Sequence, residues 1–260
     1  MIGRYNITTI FKLVREGKTL FLDTGVLSGE KDIQYRRTID KARKFKDLDK
    51  RILKLMLYSL DRIRQVCEDD SLEVYTIPEV IRETRFFRAK IRRKFKNLKL
   101  QLIAEATSSY TQGKKELFRS IIEYQSDIVN ILSGHYFDSQ IKVRPIFSHL
   151  EKLVINVGEK IGVKEKHEDR RGEDYMNTDE KLVASAIYHS VINGKSSNIL
   201  ARDRDIGKLL HGSVSSMILS GRYRGLVNSF LENPVTVYYC DDGDFQKECD
   251  TAHTTKSLIK

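Results

Sequence analysis

No apolar run in the 260-residue chain approaches the length that spans a bilayer, which sets aside an integral membrane protein. Three scattered cysteines (Cys67, Cys240 and Cys249) cannot build a disulfide framework and lie too far apart for a zinc knuckle. The six histidines, His135, His149 and His189 among them, lack metal-ligand spacing. The Ser-rich stretch HGSVSSM has no paired base and no elbow context, so a serine hydrolase is excluded. No repeat or low-complexity tract interrupts the chain. The opening MIGRYNITTIFKLVREGK lacks an apolar h-region and a small-residue cleavage site. The expectation is a reducing compartment, cytoplasmic, or nuclear in a eukaryote.

What is present is charge. A net charge of +10 favours polyanionic partners, nucleic acid or anionic membrane. An apolar fraction of 40% still suffices for a buried core.

The pattern along the chain alternates strands and helices. TLFLDTGVL, LEVYTI, NILA and PVTVYYC read as strands. A helical period runs through 31–68 on Phe45, Leu48, Ile52, Leu55, Ile63 and Val66. A second helix follows LEVYTI, with Pro78 in its first turn and Thr76 and Glu79 at capping-box spacing. Further helices are expected in QGKKELFRSIIEYQSDIVNILSG, in SHLEKLVINVGEKIGV (where Ser148 and Glu151 again have capping-box spacing), in DEKLVASAIYHSVING and in DIGKLLHGSVSSMI. Residues 1–14 read as an amphipathic opening and GVKEKHEDRRGEDYMNT as a charged loop. The expected fold is α/β: a three-layer α/β/α sandwich around a short, mainly parallel sheet with extra helices. One domain covers 1–243, with a helical elaboration at about 84–150, and 244–260 reads as a flexible tail.

Carboxylates recur where such a sheet binds ligands, beyond the carboxyl ends of its strands. Asp23 follows Leu20-Phe21-Leu22, and Asp203 and Asp205 follow Ile199-Leu200-Ala201. Asp179 opens a helix in line with Leu182, Val183 and Ala186, and Glu83 shares a helical face with Val80 and Phe87. A carboxylate on a buried stripe needs a partner. Two unit charges about 4 Å apart repel by roughly 4 kcal/mol at an effective dielectric near 20. Asp23, Glu83, Asp179 and Asp203, with Asp205 beside them, therefore point to a divalent cation, and all-oxygen donors suit Mg²⁺ or Mn²⁺. Taken singly, an Asp at a strand-to-helix turn is a cap.

The motifs FLDTGVL, TIPEVIRET, TDEKLVASAI and NILARDRDIGKLL, in this order, resemble the PIN-domain nuclease family across most of the chain. The resemblance implies a metal-dependent endoribonuclease leaving 5′-phosphate and 3′-hydroxyl ends. Asp23, Glu83, Asp179 and Asp203 would then be metal ligands or water positioners, and Asp205 auxiliary. Position 25 is Gly where the family often has Asn or Ser, and position 201 is Ala where a Thr is common. The family often pairs, so a homodimer is open as a partner state, as is a protein regulator; DNA stays open as a substrate beside RNA.

From Thr84 to Ala104 there are eight basic residues and no acidic one. Arg85, Arg88, Arg92, Lys96 and Lys99 form a stripe that would lead a phosphate backbone toward the acids, or else is a solvated helix back. Phe86, Phe87 and Phe95 read as core. The acidic DDGD at 241–244 reads as a turn. Rival functions are a non-catalytic RNA-binding module, an aspartyl-nucleophile phosphatase of haloacid-dehalogenase type (disfavoured by Gly25 where a second Asp is usual) and a phospho-acceptor receiver domain.

Overall fold

The computed structural model describes residues 19–28, 39–102, 109–135, 137, 145–162, 177–221, 223, 225–241 and 244–259. The amphipathic opening, the helical reading at 31–38 and most of the charged loop at 162–178 lie outside them.

The chain is α/β and mostly helical, around one five-stranded sheet. Strands β1 (Thr19–Leu22), β2 (Val74–Tyr75), β3 (Ser197–Ala201), β4 (Val235–Asp241) and β5 (Asp244–Asp250) lie in the order β2-β1-β3-β4-β5. β1 runs parallel to β2 and β3, and β3 parallel to β4; only β5 is antiparallel, paired with β4. β1 and β3 are buried along their whole length, as expected of unbroken apolar strands in the middle of a parallel sheet.

The helices are α1 (Thr24–Leu27), α2 (Lys50–Glu68), α3 (Pro78–Leu102), α4 (Ser109–Leu132), α5 (Pro145–Lys160), α6 (Thr178–Asn193), α7 (Asp205–Leu219), α8 (Leu226–Glu232) and α9 (Thr251–Ile259), with a 3₁₀ turn at Phe45–Asp47. α2 packs on α4, α3 on α4, α5 on α6, and α7 on both α5 and α9. The close α5 crossings rest on glycine. A Cβ on Gly158 would stand 2.7 Å from Glu180 Oε1, and one on Gly212 2.8 Å from Val157 Cγ1. α6 ends at Gly194 in the left-handed conformation, φ +59°, where glycine carries no steric penalty.

Several expectations change. The tail expected at 244–260 is instead β5 and α9, with Thr251, Thr254 and Thr255 buried. A charge-rich strand is tolerated there because β5 is an edge. Of DDGD, Asp241 ends β4 and Asp244 begins β5, while Asp242 and Gly243, on which the turn reading falls, lie outside the described residues. Thr76 does not cap α3; its hydroxyl donates to the Leu22 carbonyl at 3.2 Å and ties β2 to β1. Ser148 lies inside α5, which begins at Pro145. On α2 the fully buried face is Leu53, Met56, Leu60 and Ile63, with Ile52 and Leu55 at its margin.

Candidate active site

Sheet order decides where the acids go. The chain leaves β1 toward β2 on one side and returns as β3 on the other, so the β1–β3 boundary is the point where connections diverge, the usual crevice of a parallel sheet. Leu22 pairs with Leu200, so the residues after both strands emerge side by side. Asp23 follows at once, and Asp203 two residues beyond Ala201.

Asp23 is 5% exposed and caps α1, accepting from the Gly25 N–H at 3.1 Å. Its pKa is pushed up to about 7, chiefly by burial and then by the Glu83 charge, with Asp203 adding to it; the Gly25 and Arg202 backbone N–H groups pull the other way. Asp179, in the first turn of α6, is held well above the ordinary carboxylate range by burial and then by the charges of Asp23, Asp203, Glu83 and Glu180. Four acids from four separate segments therefore act on one another in one place. Among the described residues none of the four forms an ion pair with Lys, Arg or His.

Glu83 lies at the margin of the buried face of α3, and two hydroxyls hold it. Thr24 donates to Oε2 at 2.8 Å and Thr178 to Oε1 at 2.6 Å. These bonds link α1, α3 and α6 at the crevice. Asn177, immediately before Thr178, has φ +49°, the one non-glycine residue with positive φ among those described. That left-handed step sets the entry of α6 and delivers the Thr178 hydroxyl to Glu83.

Asp203 is exposed, and its Oδ1 accepts from the Asp205 N–H at 2.9 Å, opening α7 as a cap does. Asp205 is 4% exposed and pairs with Lys208 at 2.7 Å, so this acid already has a cation. Ala201 is fully buried in β3. Gly25 is where a side chain would collide: its Cβ would stand 3.0 Å from Arg202 Cβ and 3.1 Å from Asp23 Oδ2. Arg202 thus occupies the space that a polar side chain at position 25 would need.

The acids are neighbours rather than a preformed cage. Among the described residues no group of three or more His, Cys, Asp or Glu side chains stands ready to hold one metal ion. Glu83 is engaged by two threonines and Asp203 by a backbone N–H, so ligation of a common ion requires these carboxylates to turn. The donor set itself fits a hard divalent cation: oxygen only, with two pKa values raised by burial first and by neighbouring carboxylates second.

One acid escaped the sequence reading. Glu248 on β5 feels both Asp203 and Asp205; its pKa is raised, by burial above all, against the opposing charges of Arg204 and Lys208. It packs over Gly207, whose Cβ would stand 3.0 Å from Glu248 Cγ. No local signal marks it, since it joins the group only because β5 folds back on β4.

The basic stripe does not lead into the crevice. At roughly 100° per residue, Arg85, Arg88 and Arg92 lie about 140–200° around α3 from Glu83, on its opposite flank. Lys96 and Lys99 follow the same flank and are exposed. The residues on Glu83's own side are Lys90, paired with Asp40 at 3.0 Å, and Lys94, which donates to the Asp40 carbonyl at 2.6 Å. Phe87 is buried and Phe95 stacks on Phe118, as expected of core, but Phe86 is 59% exposed.

Compared with models of known families, with curated proteins and with solved structures, the chain matches none significantly. No described helix is long and apolar enough to cross a membrane.

Proposed function

We propose that the crevice between β1 and β3 hydrolyses phosphodiester bonds in RNA, as a PIN-like, metal-dependent endoribonuclease built on a three-layer α/β/α sandwich. The observation that carries this is that Asp23 and Asp179 are both raised, first by burial and then by acids from separate segments, Glu83 and Asp203 acting on Asp23 and Asp23, Asp203 and Glu83 acting on Asp179, while among the described residues none of the four acids forms an ion pair. Asp23, Asp179 and Asp203 would hold Mg²⁺ or Mn²⁺, with Glu83 joining them on release from a threonine. Such an ion supplies Lewis acidity toward a phosphate oxygen and offsets the acids' repulsion.

The chain's own residues then have separable tasks. Asp23, almost wholly buried at the end of β1, would anchor the ion on the sheet. Thr24 and Thr178 fix the orientation of Glu83. The Gly25 and Arg202 backbone N–H groups hold the Asp23 carboxylate at the mouth of the sheet.

Cleavage of an end-labelled single-stranded RNA in Mn²⁺ tests the proposal. Wild type should cut internally and leave 5′-phosphate ends, and Asp23→Asn should lower the rate at least a hundredfold while leaving RNA affinity within about threefold. Equal product from wild type and variant would overturn it.

The absence of a ready-made three-acid cage among the described residues favours a second reading, an RNA-binding module without catalysis. On that reading the protein binds RNA, and no divalent ion elicits product above the Asp23→Asn background.

A further inference from the structure

We propose that the crevice seats its strand at two stations beside the acids: the Phe86 ring, which stacks on an unpaired base, and the Arg204 guanidinium, which takes a phosphate on the opposite flank. This rests on RNA being the substrate and adds which side chains hold the strand next to the acids.

Phe86 stands next to Glu83. The two are three residues apart on α3, about 60° around the helix, and side chains so spaced are surface neighbours with Cβ atoms roughly 5–6 Å apart. Val80, Phe87, Ile91 and Leu98, all buried, define the core side of α3. Phe86 lies about 100° from Phe87, so that Glu83 falls between the core side and Phe86. Its ring is 59% exposed.

A lone exposed apolar ring needs no function by itself. This one borders a carboxylate that Thr24 and Thr178 hold at the crevice. Arg82 and Lys90, four residues before and after it, are exposed surface neighbours of the ring, and Lys90 also pairs with Asp40 at 3.0 Å. A ring flanked by cations gives a base a flat apolar face and its phosphates a counter-charge.

Arg204 approaches from the other side. α3 follows β2 and Tyr239 lies on β4, at opposite ends of the run β2-β1-β3-β4. Leu22 pairs with Leu200 and Ala201 with Tyr239, so one more step of the register sets Asp23, Ala201 and Tyr239 in a row across β1, β3 and β4. Tyr239 thus stands two strand spacings from Asp23, roughly 10 Å. Arg204 is exposed, directly follows Asp203 and directly precedes α7. Its Cζ lies 4.9 Å from the centre of the Tyr239 ring. The ring steadies the guanidinium, whose N–H groups can fork onto a phosphate. Glu248 also feels the Arg204 charge, so a phosphate shares this cation with one acid.

The chain has no tryptophan, so Phe86→Trp places its single indole at the base station. The test titrates this variant in EDTA with a 12-nucleotide single-stranded RNA, following indole fluorescence and, on a labelled strand, polarisation. Without divalent ions the assay reads binding and not cleavage, so failure here is separable from failure as a nuclease. The RNA should quench the indole with the midpoint seen by polarisation. A strand of the same length built from abasic residues should bind without quenching. Phe86→Ala should weaken RNA binding about fivefold or more with an unchanged salt slope, yet bind the abasic strand as wild type does. Arg204→Gln should flatten the plot of log affinity against log salt by about 0.7, one phosphate contact, for both strands. Both positions are exposed, and matching thermal midpoints confirm folding. RNA binding without quenching, equal quenching by the abasic strand or by heparin, or wild-type RNA affinity in Phe86→Ala would overturn the base station. A wild-type salt slope in Arg204→Gln would overturn the phosphate station. No RNA binding by wild type would remove the RNA reading and this inference with it.

Discussion

Replacing Asp23 by Asn should make the metal-free protein more stable at alkaline pH. Asp23 is almost wholly buried, and its pKa stands at about 7 against an ordinary 3.8, so the folded state holds this proton more tightly than the unfolded chain. An acid of that kind contributes stability that is complete below pH 3.8 and lost as pH rises through 7. The slope is about 1.4 kcal/mol per pH unit, and the loss totals about 4 kcal/mol. That total is an upper limit for the single site, because Glu83 and Asp203 share the repulsion. Asn keeps an oxygen for the Gly25 N–H and carries no charge. At pH 8 in EDTA, Asp23→Asn should therefore melt higher than wild type by up to roughly 8 °C, at about 2 °C per kcal/mol for a chain of this size. Near pH 4 the two should converge. Mn²⁺ at a hundred times its Kd should stabilise wild type by about 2.7 kcal/mol and leave the variant nearly unmoved. Thermal melts at the two pH values, with and without Mn²⁺, read all four quantities. Equal midpoints at pH 8 in EDTA, together with equal gains from Mn²⁺, would refute the reasoning.

Other outcomes follow from single contacts. Thr178→Val removes the 2.6 Å donor to Glu83 and should cost about 1–2 kcal/mol in urea unfolding. Gly158→Ala drives a methyl group against Glu180 and Leu209 and should destabilise by about 1–3 kcal/mol, measured the same way. His189 is buried among Phe21, Tyr75 and Phe137, and its pKa is lowered, by burial first and by Lys195, against the opposing pull of Glu73. Its folded pKa lies below the unfolded one, so stability is lost as pH falls below about 6.5. His189→Asn should shrink that acid-side loss in melts between pH 7 and 5.

The acid cluster was legible because each member has a local cause. Asp23 ends an apolar strand, Asp203 follows another, Asp179 begins a helix, and a parallel sheet sends all such positions to one edge. Both halves of the choice posed by those acids hold at once: Asp23 and Asp203 do cap backbone N–H groups, and they also crowd their neighbours. What stayed hidden depends on tertiary context. The Thr24 and Thr178 hydroxyls are unremarkable in sequence and matter because α1 and α6 flank α3. Glu248 needs the β4–β5 pairing, and DFQKECD is too charged to read as a strand away from a sheet edge. The stripe on α3 was visible as charge, but its bearing relative to Glu83 follows from counting residues around the helix. Phe86 looked like core because its neighbour Phe87 is.

Anomalous diffraction from a crystal soaked in Mn²⁺ tests the central claim most directly. The account predicts a peak bounded by the carboxylates of Asp23, Asp179 and Asp203, lost in an Asp179→Asn crystal. No peak in that crevice at saturating Mn²⁺, or one that persists unchanged in the variant, would contradict it.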